Sequence, residues 1–149
     1  MYRNILVATD GSKLSAKAIK TAIEMARAAG AKIIGFYATP EYNVPIYSEG
    51  AAFVSSTVGR ARWAEQTKAH ADSVLDDVRK AATKAGVAVE VTSQAANDPY
   101  KAIIATAKKK RCELIVMASH GRRGLAGLVL GSETQKVLTH TKIPVLVVR

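Results

Sequence analysis

Cysteine is nearly missing from this chain: Cys112 is the only one among 149 residues. No disulfide can therefore close within one copy, and no cysteine-based metal cluster can form. Cys112 leads into an apolar run that reads as a buried strand, and the scarcity of thiols fits a reducing compartment, so the cytoplasm is the expected location. Long apolar stretches are missing too. Lys, Arg, Asp or Glu interrupts each candidate well short of the roughly 20 residues that cross a bilayer, and no membrane segment is expected. The chain passes from Met1 straight into a strand-like stretch, without a basic n-region, an apolar h-region or a small-residue cleavage site. The expectation is a soluble protein that is not secreted. His70 and His140 have no cysteine, histidine or carboxylate at metal-ligand spacing and read as surface residues, so no metal site is expected. Internal repeats and low-complexity tracts are also absent.

Acidic residues are in short supply, 12 Asp and Glu facing 22 Lys and Arg for a net charge of +10, which brings nucleotides, nucleic acid and membrane surfaces into consideration as anionic partners. The densest basic run, Lys108-Lys109-Lys110-Arg111, falls at the end of a helical pattern, where cations complement the helix dipole. No helix-turn-helix, aromatic RNA-binding motif or zinc module accompanies it, and nucleic acid is not the expected partner.

What is present is an alternation of two periodicities. Short β-branched runs at Ile5 to Ala8, Lys32 to Ala38, Val87 to Ser93, Glu113 to Met117 and Pro144 to Val148 look like strands buried on both faces. Leu14, Ala18, Ile19, Ala22, Ile23 and Ala26 mark a first helix stopping at Gly30, and a longer pattern over about Arg60 to Ala85 stops at Gly86. Asn97 or Asp98 caps a third helix with Pro99 at its first position, running to about Lys109. A fourth opens at Ser132, where Ser132-x-x-Gln135 matches a capping box, and ends before Ile143. The order β-α-β-α-β-α-β-α-β, with 48% hydrophobic residues to fill one core, predicts a single α/β domain over residues 1–149. Its architecture would be a doubly wound five-stranded parallel sheet, order 3-2-1-4-5, with helices on both faces. The stretch from Thr39 to Gly59 is longer than an ordinary connection and reads as a lid or part of an interface.

Ligands of such sheets bind beyond the carboxyl ends of the strands, where the strand order reverses. There the first strand delivers Ala8-Thr9-Asp10-Gly11-Ser12 and the fourth Met117-Ala118-Ser119-His120-Gly121-Arg122-Arg123-Gly124. Glycines 121, 124, 127 and 131 allow close backbone approach, and Ser132 starts a helix whose free N–H groups attract phosphate. Asp10 reads either as a ligand or as a turn and capping residue. Arg122 and Arg123 read as phosphate contacts or as a solvated pair, His120 as a structural hydrogen-bonder, and Met117 as packing first.

Met117-Ala118-Ser119-His120-Gly121, nine further residues, then Gly131-Ser132 resemble the nucleotide-binding motif of the universal stress protein family, in particular its ATP-binding branch. That motif runs G-x-x-G-x9-G-[ST], and Ala118 departs from it by replacing the first glycine. The segments Asn4 to Ser12 and Ile143 to Val148 resemble the family's opening and closing strands, so the likeness spans the chain. The resemblance implies ATP, or ADP or AMP, with Mg²⁺. It places Ala8, Thr9 and Asp10 at the adenosine and Tyr37 and Met117 beside the base. Ser119, Gly121, Arg122, Arg123 and Gly124 would follow the ribose and phosphates, with Ala118 and His120 also counted in the nucleotide site, and Gly131, Ser132, Glu133 and Thr134 would meet the outer phosphates. Glu133 repels phosphate unless a cation lies between them. No catalytic constellation is visible. The leading expectation is a nucleotide-controlled regulatory module of the stress response with a protein partner, and a homodimer built on the C-terminal edge strand. A slow nucleotide hydrolase or transferase using the same pocket, and a non-nucleotide interaction protein of the same fold, are the alternatives. A receiver-type phosphoacceptor domain is discounted, since it needs an acidic cluster after strand one and only Asp10 is there.

Overall fold

The computed structural model describes residues 1–43, 57–121 and 130–149. Its elements in chain order are β1 (Asn4–Ala8), α1 (Lys13–Ala29), β2 (Lys32–Thr39), α2 (Thr57–Lys84), β3 (Val89–Ala95), α3 (Pro99–Lys109), β4 (Leu114–Ala118), α4 (Ser132–His140) and β5 (Val145–Val148). The strands form one parallel sheet in the order β3-β2-β1-β4-β5, as the alternating pattern predicts. Most of the stretch from Thr39 to Gly59 read as a lid or interface lies outside the described residues.

Strand side chains alternate between two cores. Ile5, Val7, Ile33, Leu114 and Val116 pack under α1 and α2, while Leu6, Ile34, Phe36, Ile115 and Met117 pack under α3 and α4. The apolar positions of α1 recur every three or four residues, which puts Ala18, Ile19, Ala22, Ile23 and Ala26 on its buried face. That helix ends where Gly30 turns left-handed at φ 66°, its N–H bonded to the Ala26 carbonyl. Gly35 in β2 has a different reason: a Cβ there would stand 2.9 Å from Cγ1 of Val78, so the missing side chain is what lets α2 lie close on the sheet.

Three expectations need correction. The outer strands are not buried on both faces: β3 and β5 are only half-buried, and the end of β3 is exposed, because no described strand pairs beyond them. The third strand starts at Val89 rather than Val87, since Val87 donates its N–H to the Ala82 carbonyl and, with Gly86 at φ 70°, closes the end of α2. The capping box at Ser132 does not form. Gly131 is the N-cap of α4, with φ −71° and ψ 155°, and Ser132 is already the first helical residue.

Candidate functional site

The strand order reverses between β1 and β4, and a cavity of about 640 Å³ opens above their carboxyl ends. Its lining combines apolar side chains with polar and backbone groups. Ala8, Phe36, Tyr37, Ala38, Pro99, Ile103, Met117 and Ala118 are its apolar members, while Thr9, Asp10, Ser15, His120, Gly121, Gly131, Ser132, Glu133 and Thr134 bring backbone and polar groups.

The turn after β1 is held from within. Thr9 sends its N–H to the Phe36 carbonyl, and its hydroxyl accepts the Gly11 N–H at 3.2 Å and meets the Ser15 hydroxyl at 3.0 Å. Gly11 turns left-handed at φ 77°, a conformation that costs glycine nothing. Oδ1 of Asp10 accepts the Ser12 N–H at 3.0 Å, and the Ser12 hydroxyl caps α1 through the Ser15 N–H. Asp10 is therefore both the turn residue that sequence allows and part of the cavity wall. Tyr37 reaches the wall from β2 with its back against Ala71, Val74 and Leu75 and its ring 5.8 Å from that of His70.

On the other side of the reversal, Gly131 N–H donates to the Ser119 carbonyl at 2.7 Å, which brings the amino end of α4 against the end of β4. A Cβ on Gly131 would meet Cα of His120 at 3.1 Å, and one on Gly121 would stand 2.5 Å from Oδ2 of Asp10. These are the close approaches that glycine permits here.

Three side chains of the implied site are engaged within the protein. Ser119 is buried and does not line the cavity: its N–H goes to the Val148 carbonyl and its hydroxyl meets Nδ1 of His120 at 3.2 Å. The Thr134 hydroxyl, also buried, donates to the Ala118 carbonyl at 3.0 Å and is engaged in joining α4 to β4. Glu133 lines the cavity, yet its Oε2 accepts the Tyr100 N–H at 2.9 Å and its Oε1 the Lys136 ammonium at 2.9 Å. It caps α3 across the cleft, the task that sequence assigns to Asn97 or Asp98. Asp98 sits at the cap position without a side-chain capping bond and pairs with Lys101, while Asn97 bonds Glu41 and Asn43. Among the described residues no group of three His, Cys, Asp or Glu could hold a metal. Arg122, Arg123 and Gly124 lie outside the described residues.

Sequence reasoning missed Ser15, Phe36, Ala38, Asn97, Pro99 and Ile103, all of which line the cavity. Their signal was positional only: each sits at the carboxyl end of a strand, in the first turns of a helix or, for Asn97, in the connection between β3 and α3. Cys112 takes no part in the site. It is buried at the foot of β4, and burial pushes its thiol up to about 11, which keeps it protonated and inert.

The sequence profile of the universal stress protein family matches residues 1–149. The chain belongs to the universal stress protein family. It is 32% identical over 155 residues to universal stress protein MJ0531 of Methanocaldococcus jannaschii, covering all of this chain and 83% of that one. It is 33% identical over 151 residues to universal stress protein YxiE of Bacillus subtilis, with both chains covered in full. Among solved structures it is similar to a universal stress protein in complex with cAMP, at 25% identity and a TM-score of 0.71, covering 99% of this chain and 97% of that one. No described helix of this universal stress protein is long and apolar enough to cross a membrane.

Proposed function

We propose that this universal stress protein is an adenine-nucleotide-binding regulatory module, a single domain acting in the cytoplasm whose occupancy sets its conformation or its choice of protein partner. The observation that carries this reading is the cavity at the β1/β4 reversal, lined by apolar side chains together with glycines and the first residues of α4. Its volume of about 640 Å³ falls within the usual range for small-ligand sites. Apolar lining residues such as Phe36 and Met117 suit a flat purine. The glycine-rich rim at Gly121 and Gly131, with the amino end of α4 beside it, suits ribose and phosphate. The cAMP bound by a structural relative supports the same ligand class. ATP, ADP and AMP are the candidates, and Arg122 and Arg123 would add phosphate contacts from the glycine-rich segment. A homodimer along β5 completes the proposal.

Mass spectrometry of the small molecules released from purified protein, with calorimetry against ATP, ADP, AMP and cAMP, tests the reading. The expected result is a released adenine nucleotide and micromolar to submillimolar binding of at least one of the four. No heat and no thermal shift with any of them at millimolar concentration would overturn it.

A further inference from the structure

Of the groups around the cavity, Glu133 has the least obvious reason to be there. A carboxylate in the first turn of α4 stands beside Ser132, at the end of the cavity where phosphates are expected, and it opposes the ligand's charge. It is also fixed. The Tyr100 N–H at 2.9 Å holds one oxygen and the Lys136 ammonium at 2.9 Å the other, so turning away would uncap α3 and break an ion pair. Pro99, the first residue of that capped helix, lines the same cavity, and Glu133 thus joins the two helix ends that face the ligand. A second carboxylate, Asp10, is part of the wall as well.

We infer that Glu133 is a specificity-determining residue that selects adenine nucleotides with a single phosphate over triphosphates. The inference rests on the nucleotide reading of the cavity. A monophosphate is served by the amino end of α4 and the glycine-rich rim, while each further phosphate adds negative charge near a carboxylate held by two protein partners, a repulsion that opposes the phosphate contacts proposed for Arg122 and Arg123. Lys136 tempers that charge from the solvent side, being half exposed. The inference therefore makes opposite predictions for the two partners of the pair.

The test is calorimetry with ATP and with AMP in buffer containing EDTA, on the wild type, Glu133→Gln and Lys136→Ala. The glutamine carbonyl still accepts the Tyr100 N–H, so the cap is kept and only the charge is lost. Wild type should bind AMP more tightly than ATP. A unit charge a few ångströms from phosphate near the surface is worth about three- to tenfold in affinity, so Glu133→Gln should raise the ATP-to-AMP affinity ratio by that factor. Lys136→Ala should lower the ratio. Equal changes for both ligands would reduce Glu133 to a helix cap and overturn the inference, as would an unchanged ratio in both variants or a wild type that prefers ATP. A wild type that binds neither ligand would overturn the nucleotide reading itself, an outcome distinct from binding with an unmoved ratio.

Discussion

Asp10 and Gly121 approach each other across the β1/β4 reversal, with Oδ2 of Asp10 placed 2.5 Å from where a Cβ at position 121 would lie. Gly121→Ala must therefore push the carboxylate aside or open the wall. The expected outcome is at least a tenfold loss of AMP affinity, about 1.4 kcal/mol, with the melting temperature nearly unchanged because the residue is exposed and outside both cores. Affinity within twofold of wild type would place the ligand away from Gly121. The glycine spacing was legible in the sequence, because glycine has few reasons to recur in a segment that leads into a helix. The fates of Ser119, Thr134 and Glu133 were not legible. Whether a hydroxyl or carboxylate faces the ligand or a neighbouring backbone group depends on which helix ends come together, and that is decided by packing far away in the chain.

Between elements, two contacts set how the layers sit. The α2 helix rests on β2 through the space that Gly35 leaves, with Val78 at 2.9 Å and Val91 at 3.2 Å from the missing Cβ. Gly35→Ala should cost about 1–3 kcal/mol by overpacking, read as a lower urea midpoint, and Gly35→Ala with Val78→Ala should recover part of it. No recovery in the double variant would mean that the cost arises elsewhere. The second contact is the carboxylate of Glu90 on β3, held between Lys110, which follows α3, and Lys32 on β2 at 2.7 Å. Hydrogen bonds from Lys110 and then Lys32 hold this carboxyl down at about 2. A carboxyl lowered in the folded state stabilises above its unfolded value, and the gain is lost as pH falls toward 2. Glu90→Gln should thus be less stable than wild type by about 1 kcal/mol at pH 7, a modest figure because the pair is partly exposed, and the gap should close between pH 4.5 and 2. Thermal melts that show the same gap at pH 7 and pH 2.5 would remove the ionic explanation. Element order and helix faces were legible here because burial imposes periods of two and 3.6 on the sequence. The Glu90 contact was not, since it joins residues from three separate segments.

At the scale of the whole molecule, the sheet has two edges and they differ. The β3 edge ends in exposed polar residues, Ser93 and Gln94, whereas β5 is Val145-Leu146-Val147-Val148, apolar and only half-buried. A bare apolar edge offers unpaired N–H and C=O groups to another chain, and pairing with a second copy about a two-fold axis satisfies both copies at once. The structure also picks the position to alter. Leu146 and Val148 pack on the α1 side and Val145 on the α4 side, while Val147 is half-buried without joining either core. Val147→Lys should therefore leave the fold intact and place a charge on the edge, where it opposes self-pairing. Multi-angle light scattering at high micromolar concentration should return a dimer for wild type and a monomer for Val147→Lys, with unchanged circular dichroism. A wild type that stays monomeric would refute assembly through this edge, and a variant that remains dimeric would move the interface off β5.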